Sequence, residues 1–242
     1  MLTYARKFVF LHTGHIGDII AFLPSFQKLK GTTLLVQDGD RMVPMKGFKF
    51  DSMKPLLESQ GIETTMDSSG LCVDVDMTGW RECYRDDLSL LDAQARYLKV
   101  VDKKTGHFEI TEPWLKVDKN PDGEGRVIIN RSPRYHNDLF PWQRVVDKFR
   151  DRALFIGIDE EYQDFCTRFD HIPRYETANC LEVARLIQAC DLFVGNQSSS
   201  FWIAAALRKP LLQKTFPPAP NSIIEYEGAT YCADGNLNLD IL

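Results

Sequence analysis

The feature that most limits what this chain can fold into lies near its start. The β-branched and aromatic run Lys7–Thr13 (KFVFLHT) breaks at the turn Gly14-His15-Ile16-Gly17-Asp18, and an apolar-periodic stretch from about Ile19 to Lys30 follows at once. A buried strand that passes through a glycine turn straight into a helix is the first half of a βαβ unit, and such units build parallel sheets covered by helices. The alternation continues. Thr32–Gln37 reads as a strand, a helix falls near Ser52–Gln60, and Leu71–Asp76 reads as a further strand. Leu88–Val101 reads as a helix with Leu91, Ala95 and Leu98 on one face.

The segment Lys119–Gly125 (KNPDGEG) is polar, with one proline and two glycines, and reads as a linker. Beyond it the alternation restarts: strands at Arg126–Asn130 and Ala153–Ile158, a helix at Glu160–Phe169, a helix at Leu181–Ala189, a strand at Asp191–Gly195, a helix at Ser198–Leu207 and a last core strand at Pro210–Gln213. The expected fold is therefore α/β, with two Rossmann-like lobes facing across a cleft. The lobes span 1–118 and 126–242, joined by a linker at 119–125. A chain of 242 residues can bury a core of that size without disulfides or metals.

Charge and cysteine content narrow the partners. Lys and Arg number 29 against 34 Asp and Glu, so the net charge is −5, and no basic run is present. Nucleic-acid binding is disfavoured on that balance, although a local basic patch would still permit it. The six cysteines form no CxxC and none stands at metal-ligand spacing with a histidine, which predicts reduced, structural thiols and a cytoplasmic setting. Met1–Lys7 runs into the first strand without a signal-peptide pattern, and no apolar run reaches the ~20 residues of a membrane span.

Open α/β sheets bind ligands beyond the carboxyl ends of their strands, and four turns there have unusual composition. In the first, Gly14 and Gly17 would let backbone amides approach a ligand beside His15. Asp18 would sit in the first helical turn facing the cleft, either serving chemistry or only complementing the helix dipole. The second, Gly195-Asn196-Gln197-Ser198-Ser199-Ser200, offers hydroxyls and amides to a phosphate, or only a serine N-cap. The third, Asn130–Asn137, carries Arg131 and Arg134, which could fork onto phosphate oxygens or pair with nearby acids. In the fourth, Gly157-Ile158-Asp159-Glu160-Glu161, a carboxylate could accept ribose hydroxyls or cap a helix.

These residues together resemble a known family. GHIGDIIAFLPSFQKLK is similar to the opening of glycosyltransferase family 9, the lipopolysaccharide heptosyltransferases. DLFVGNQSSSFWIAAALRKP is similar to that family's second signature. RSPRYHNDLFPW and FIGIDEEYQDF lie where the family contacts the nucleotide diphosphate and ribose. The resemblance implies a GT-B fold, with a nucleotide-sugar donor on the second lobe and a hydroxyl-bearing acceptor on the first. Asp18 would be the base that takes the acceptor proton. Asn130, Arg131 or Arg134, Gly157, Glu161 and Asn196 through Ser200 would hold the nucleotide and its diphosphate. It further implies metal-independent transfer without a cofactor, by inversion. The sequence departs from the family pattern at Gln197, Ser199, Trp202 and Asp138, where an acid, glycine, histidine and lysine usually stand. Two other functions compete with sugar transfer: a binding protein that keeps the nucleotide pocket without turnover, and a glycosyltransferase acting on a modified nucleobase. The sequence names neither sugar, base nor acceptor.

Overall fold

The structure is a computed structural model that describes residues 7–38, 47–135 and 137–239. Met1–Arg6 and His136 of the arginine-bearing turn lie outside the described residues. The chain divides into two compact units between Trp114 and Leu115.

The first unit contains β1 (Val9–His12), α1 (Ile16–Lys28), β2 (Thr33–Val36), α2 (Phe48–Ser59), β3 (Glu63–Thr65), β4 (Val75–Asp76), a 3-10 turn at Trp80–Cys83 and α3 (Leu90–Tyr97). Its four strands run parallel in the order β3-β2-β1-β4. The core is aromatic where β1 meets α1: the Phe10 ring lies 5.6 Å from Phe22 and 4.9 Å from Phe26. Pro24 stands inside α1 and has no N–H to give the Ile20 carbonyl one turn earlier. The Trp114 indole N–H donates to that carbonyl instead, at 3.0 Å. Satisfying the freed acceptor lets the proline stay within a buried helix.

The second unit contains β5 (Val127–Asn130), α4 (Trp142–Phe149), β6 (Ala153–Phe155), α5 (Asp159–Arg168), α6 (Cys180–Ala189), β7 (Leu192–Asn196), α7 (Ser199–Ala206), β8 (Leu211–Lys214) and β9 (Ala229–Cys232). Its five strands are also parallel, in the order β6-β5-β7-β8-β9. β5, β6, β7 and β8 are buried along their whole length; each opens on apolar residues, and β5, β7 and β8 end on polar ones at their carboxyl ends. Val145, Val146 and Phe149 of α4 pack with Phe155, Phe165 and Trp142 in one core.

Several expectations change. The segment 119–125 is not a linker. Asn120 caps a 3-10 turn at Pro121–Gly123, its own N–H donates to the Arg185 carbonyl at 2.9 Å, and Gly123 lies so close to α6 that a Cβ would sit 2.4 Å from the Leu186 carbonyl. Proline, aspartate and glycine suit a tight turn seated on a helix as well as they suit an open connection. The strand expected at Leu71–Asp76 contracts to two residues, because Asp74 uses its carboxylate to accept the Val9 N–H at 3.0 Å. β3, α4 and β9 are additions to the expected list. Pro210–Gln213 is followed by one more strand rather than ending the sheet. None of the six cysteines is in a disulfide, and Cys180, Cys190 and Cys232 are buried. No helix among the described residues is long and apolar enough to cross a membrane.

Candidate functional site

Each sheet has a point where neighbouring strands send their following chain in opposite directions, and such points open the crevices that α/β proteins use. In the first unit this falls between β1 and β4. The turn after β1 carries Asp18 and the turn after β4 carries Arg81, so topology alone brings together two residues 63 positions apart. Arg81 Nη2 donates to Asp18 Oδ2 at 2.9 Å, and its guanidinium lies 4.5 Å above the ring of the buried Trp80. The same Oδ2 accepts the His15 N–H at 2.9 Å, tying the carboxylate across the helix start. Asp18 is 8% exposed. Both of these bonds fall on Oδ2, and among the described residues none is made to Oδ1.

The backbone of this turn faces inward. The Gly14 N–H donates to His12 Nδ1 at 2.8 Å, and the His15 N–H is held by Asp18. The expected anion cradle of glycine amides is therefore corrected at Gly14 and His15, whose donors are used inside the turn. Gly14 is required for a steric reason instead: a Cβ there would come within 2.5 Å of His12 Cε1 and 2.6 Å of Asp18 Cβ. Gly17 is the second residue of α1 and is half-buried. Burial pushes the His12 imidazole down to about 4, against a smaller opposing effect of its hydrogen bond with Gln94. It is neutral at any ordinary pH.

In the second unit the reversal falls between β5 and β7, and the asparagines that end these strands organise the crevice. Asn196 accepts the Ser132 N–H at 2.9 Å and donates to the Ser132 hydroxyl at 3.0 Å and the Arg134 carbonyl at 2.6 Å, shaping the turn after β5. Asn130 donates to the Ile156 carbonyl at 2.9 Å and accepts the Ser198 hydroxyl at 2.8 Å. Ser198 caps α7 by accepting the Phe201 N–H at 3.3 Å, which leaves Ser199 and Ser200 half-buried in the first helical turn. Gly157 has φ +149, and a Cβ there would meet Glu161 Oε2 at 2.5 Å. Glu161 thus reaches back beside Asn130, accepting the Ile158 N–H at 3.3 Å. Burial raises its carboxyl above the ordinary glutamate value, opposed by hydrogen bonds from Ile158 and Asn130.

Two of the expected phosphate ligands are engaged with the protein itself. Arg131 is turned inward: only 4% exposed, it pairs with Asp164 of α5 and lies over the Phe169 ring at 5.6 Å. Gln197 is buried and donates to the Ala219 carbonyl and to Asn221 Oδ1, while its Oε1 accepts the Phe216 N–H at 3.2 Å, so it pins the segment 216–221. Arg134 is exposed, with its guanidinium 5.1 Å from the Tyr135 ring. The sequence reading passed over Lys214, which ends β8 in register with Asn196. Burial lowers it to about 8, aided by the Arg131 and Arg168 charges and opposed by Asp138. His12, Arg81 and Gln94 were also passed over, since no local pattern marks them. The letters Asp74-Val75-Asp76 form no paired site: Asp74 holds the Val9 N–H, and Asp76 accepts the Thr78 N–H at 2.8 Å. Among the described residues no three His, Cys, Asp or Glu side chains group as a metal site would require.

Two parallel α/β units, each with polar residues gathered where its strand order reverses, define the fold class of GT-B glycosyltransferases. Solved structures of that class are similar along nearly the whole chain. The family 9 glycosyl transferase from Veillonella parvula DSM 2008 has a TM-score of 0.61 at 12% identity, over 96% of this chain and 88% of that one. The E. coli heptosyltransferase WaaC, solved with ADP-2-deoxy-2-fluoro heptose, has a TM-score of 0.58 at 12% identity, over 96% and 94%. E. coli ADP-heptose lps heptosyltransferase II has a TM-score of 0.52 at 15% identity, over 94% and 90%. No protein-family model matches the chain, and no curated protein does.

Proposed function

We propose that this protein is a glycosyltransferase that moves a sugar from a nucleotide diphosphate-sugar to a hydroxyl-bearing acceptor. The observation that carries the reading is Asp18, a nearly buried carboxylate at a strand-order reversal whose Oδ2 is fixed by His15 and Arg81. An acceptor hydroxyl on Oδ1 would lose its proton to Asp18 as its oxygen bonds to the anomeric carbon and the bond to the diphosphate oxygen breaks. Attack opposite the leaving group inverts the anomeric centre. In the second unit, the Ser198–Ser200 helix start and Arg134 would hold the diphosphate, with Glu161 and Asn130 toward the ribose. Arg131 and Gln197 would act behind them, Arg131 against α5 and Gln197 on the segment 216–221. The charge leaving with the nucleotide would be met by these groups without a metal ion.

The likeness in fold to structures holding ADP-heptose analogues supports the donor class, and ADP-sugars are the first to test. One observation favours a binding protein without turnover: the Asp18 carboxylate already has a structural task in bridging the helix start. The deciding experiment is a thermal-shift screen against ADP-, UDP-, GDP- and dTDP-sugars, followed by a transfer assay with and without chelator. The expected outcome is stabilisation by one donor class, up to about 2.7 kcal/mol at a hundredfold excess over Kd, and turnover that chelator leaves unchanged. Stabilisation by a donor that no acceptor ever discharges would support the binding reading. Turnover abolished by chelator and restored by magnesium or manganese would overturn metal independence.

A further inference from the structure

His12 and Gln94 are both fully buried, in a region where an apolar pair would fill the space without the desolvation that polar groups incur. They form one continuous chain of hydrogen bonds. Because Nδ1 of His12 accepts the Gly14 N–H at 2.8 Å, the ring proton must sit on Nε2, and Nε2 donates to Gln94 Oε1 at 2.7 Å. The Gln94 amide then donates from Nε2 to the Asp18 carbonyl at 2.9 Å. One end of the chain grips the first residue of the turn and the other grips the residue whose carboxylate faces the crevice. His12 is itself fixed between the Phe22 ring at 5.1 Å and the Trp80 ring at 6.3 Å. Trp80 in turn lies beneath the Arg81 guanidinium that holds Asp18 Oδ2. Every polar atom of both side chains that can bond in this tautomer points at the turn or at its partner.

We propose that His12 and Gln94 are positioning residues that set the geometry of the Asp18 turn, acting through the Gly14 N–H and the Asp18 carbonyl. The chain works only with a neutral imidazole, because a proton on Nδ1 would drive off the Gly14 N–H. The inference deepens the transferase reading and rests on it for its effect on turnover, but its structural content can be measured separately.

The test uses the full-length 15N-labelled protein, the variants Gln94→Met and His12→Asn, and three readouts: ring-nitrogen shifts of His12, amide hydrogen exchange at Gly14 and His15, and transfer kinetics. The wild type should show a neutral Nε2–H tautomer. In Gln94→Met, which removes the bonds to His12 and to the Asp18 carbonyl, exchange at Gly14 and His15 should quicken about tenfold or more, while the β2 amides keep their protection. kcat should fall with donor KM unchanged. His12→Asn removes the ring nitrogen that accepts the Gly14 N–H, so exchange at Gly14 should quicken more in it than in Gln94→Met. An Nδ1–H tautomer in the wild type, or unchanged exchange at both amides in a folded variant, would overturn the proposal. The tautomer measurement stands even if neither variant folds. If the exchange results hold but the wild type transfers no sugar from any donor, the transferase reading fails and the positioning role survives.

Discussion

The turns that end β1 and β7 share a signature, glycine followed by small or polar residues at a helix start, yet they are built in opposite senses. After β1, the first donors turn inward: the Gly14 N–H goes to His12 and the His15 N–H goes to Asp18. After β7, the inward bonds are made by Asn196, Gln197 and Ser198, while Ser199 and Ser200 are half-buried in the first helical turn. The first turn fixes one carboxylate through its own donors, and the second is fixed by the side chains that precede its helix. A glycine-rich helix start thus specifies a close approach of backbone. What approaches it, a neighbouring side chain or an anion, is decided by the residues behind the turn.

Asp18→Asn is expected to have the largest effect. Asparagine can still accept the His15 N–H but cannot take a proton at neutral pH. The variant is expected to fold, bind donor normally and lose turnover on the order of a hundredfold or more. A wild-type transfer rate would reduce the β1 turn to a cap.

Acid should separate the two turns by sign. His12 is held near 4 in the folded chain against 6.5 when free, so the unfolded state binds the extra proton first, and stability is lost as pH falls from about 6.5 toward 4. The loss approaches about 3 kcal/mol, at 1.36 kcal/mol per pKa unit. Glu161 works the other way: its raised carboxyl contributes stability at low pH that is lost as pH rises through its folded value. Melting temperatures between pH 4 and 8 should show the His12 slope and lose it in His12→Asn. Glu161→Gln should leave that slope in place and raise stability slightly at neutral pH. An unchanged slope in the His12 variant would show that other groups govern the acid response.

The two arginines after β5 sharpen the comparison within the second unit. Arg134→Ala should weaken nucleotide binding by roughly 1.5–3 kcal/mol, the range for hydrogen bonds to charged groups, with little change in melting. Arg131→Ala should instead cost folding stability of similar size, because its guanidinium is buried against Asp164 and Phe169. Calorimetric titration and thermal melting on both variants would exchange these assignments if the effects came out reversed.

Much of this was legible in the chain. Buried parallel strands are largely apolar, so β5 and β7 stand out by VII and LFV, and Asp18 and Ser198 fall at helix starts that composition marks. β3 was missed because ETT has no apolar run, and α4 because it starts directly after Pro141, a residue that reads as a break. Arg131 and Arg134 are equivalent by letter and stand three apart. Their opposite fates depend on α5, where Asp164 waits for one of them.

The sequence by itself determined the alternation of strand and helix, the parallel sheets that follow from it, and the turns where polar residues could gather, because these depend on periodicities of a few residues. Only the tertiary structure decided that Arg81 and Gln94, 63 and 76 positions from Asp18, would hold it from two sides, and that the first turn's donors would close on themselves. The physical reason is strand order. β4 joins the edge of β1 opposite β2, and α3 lays Gln94 against the start of α1, and neither placement is a property of any local stretch of chain.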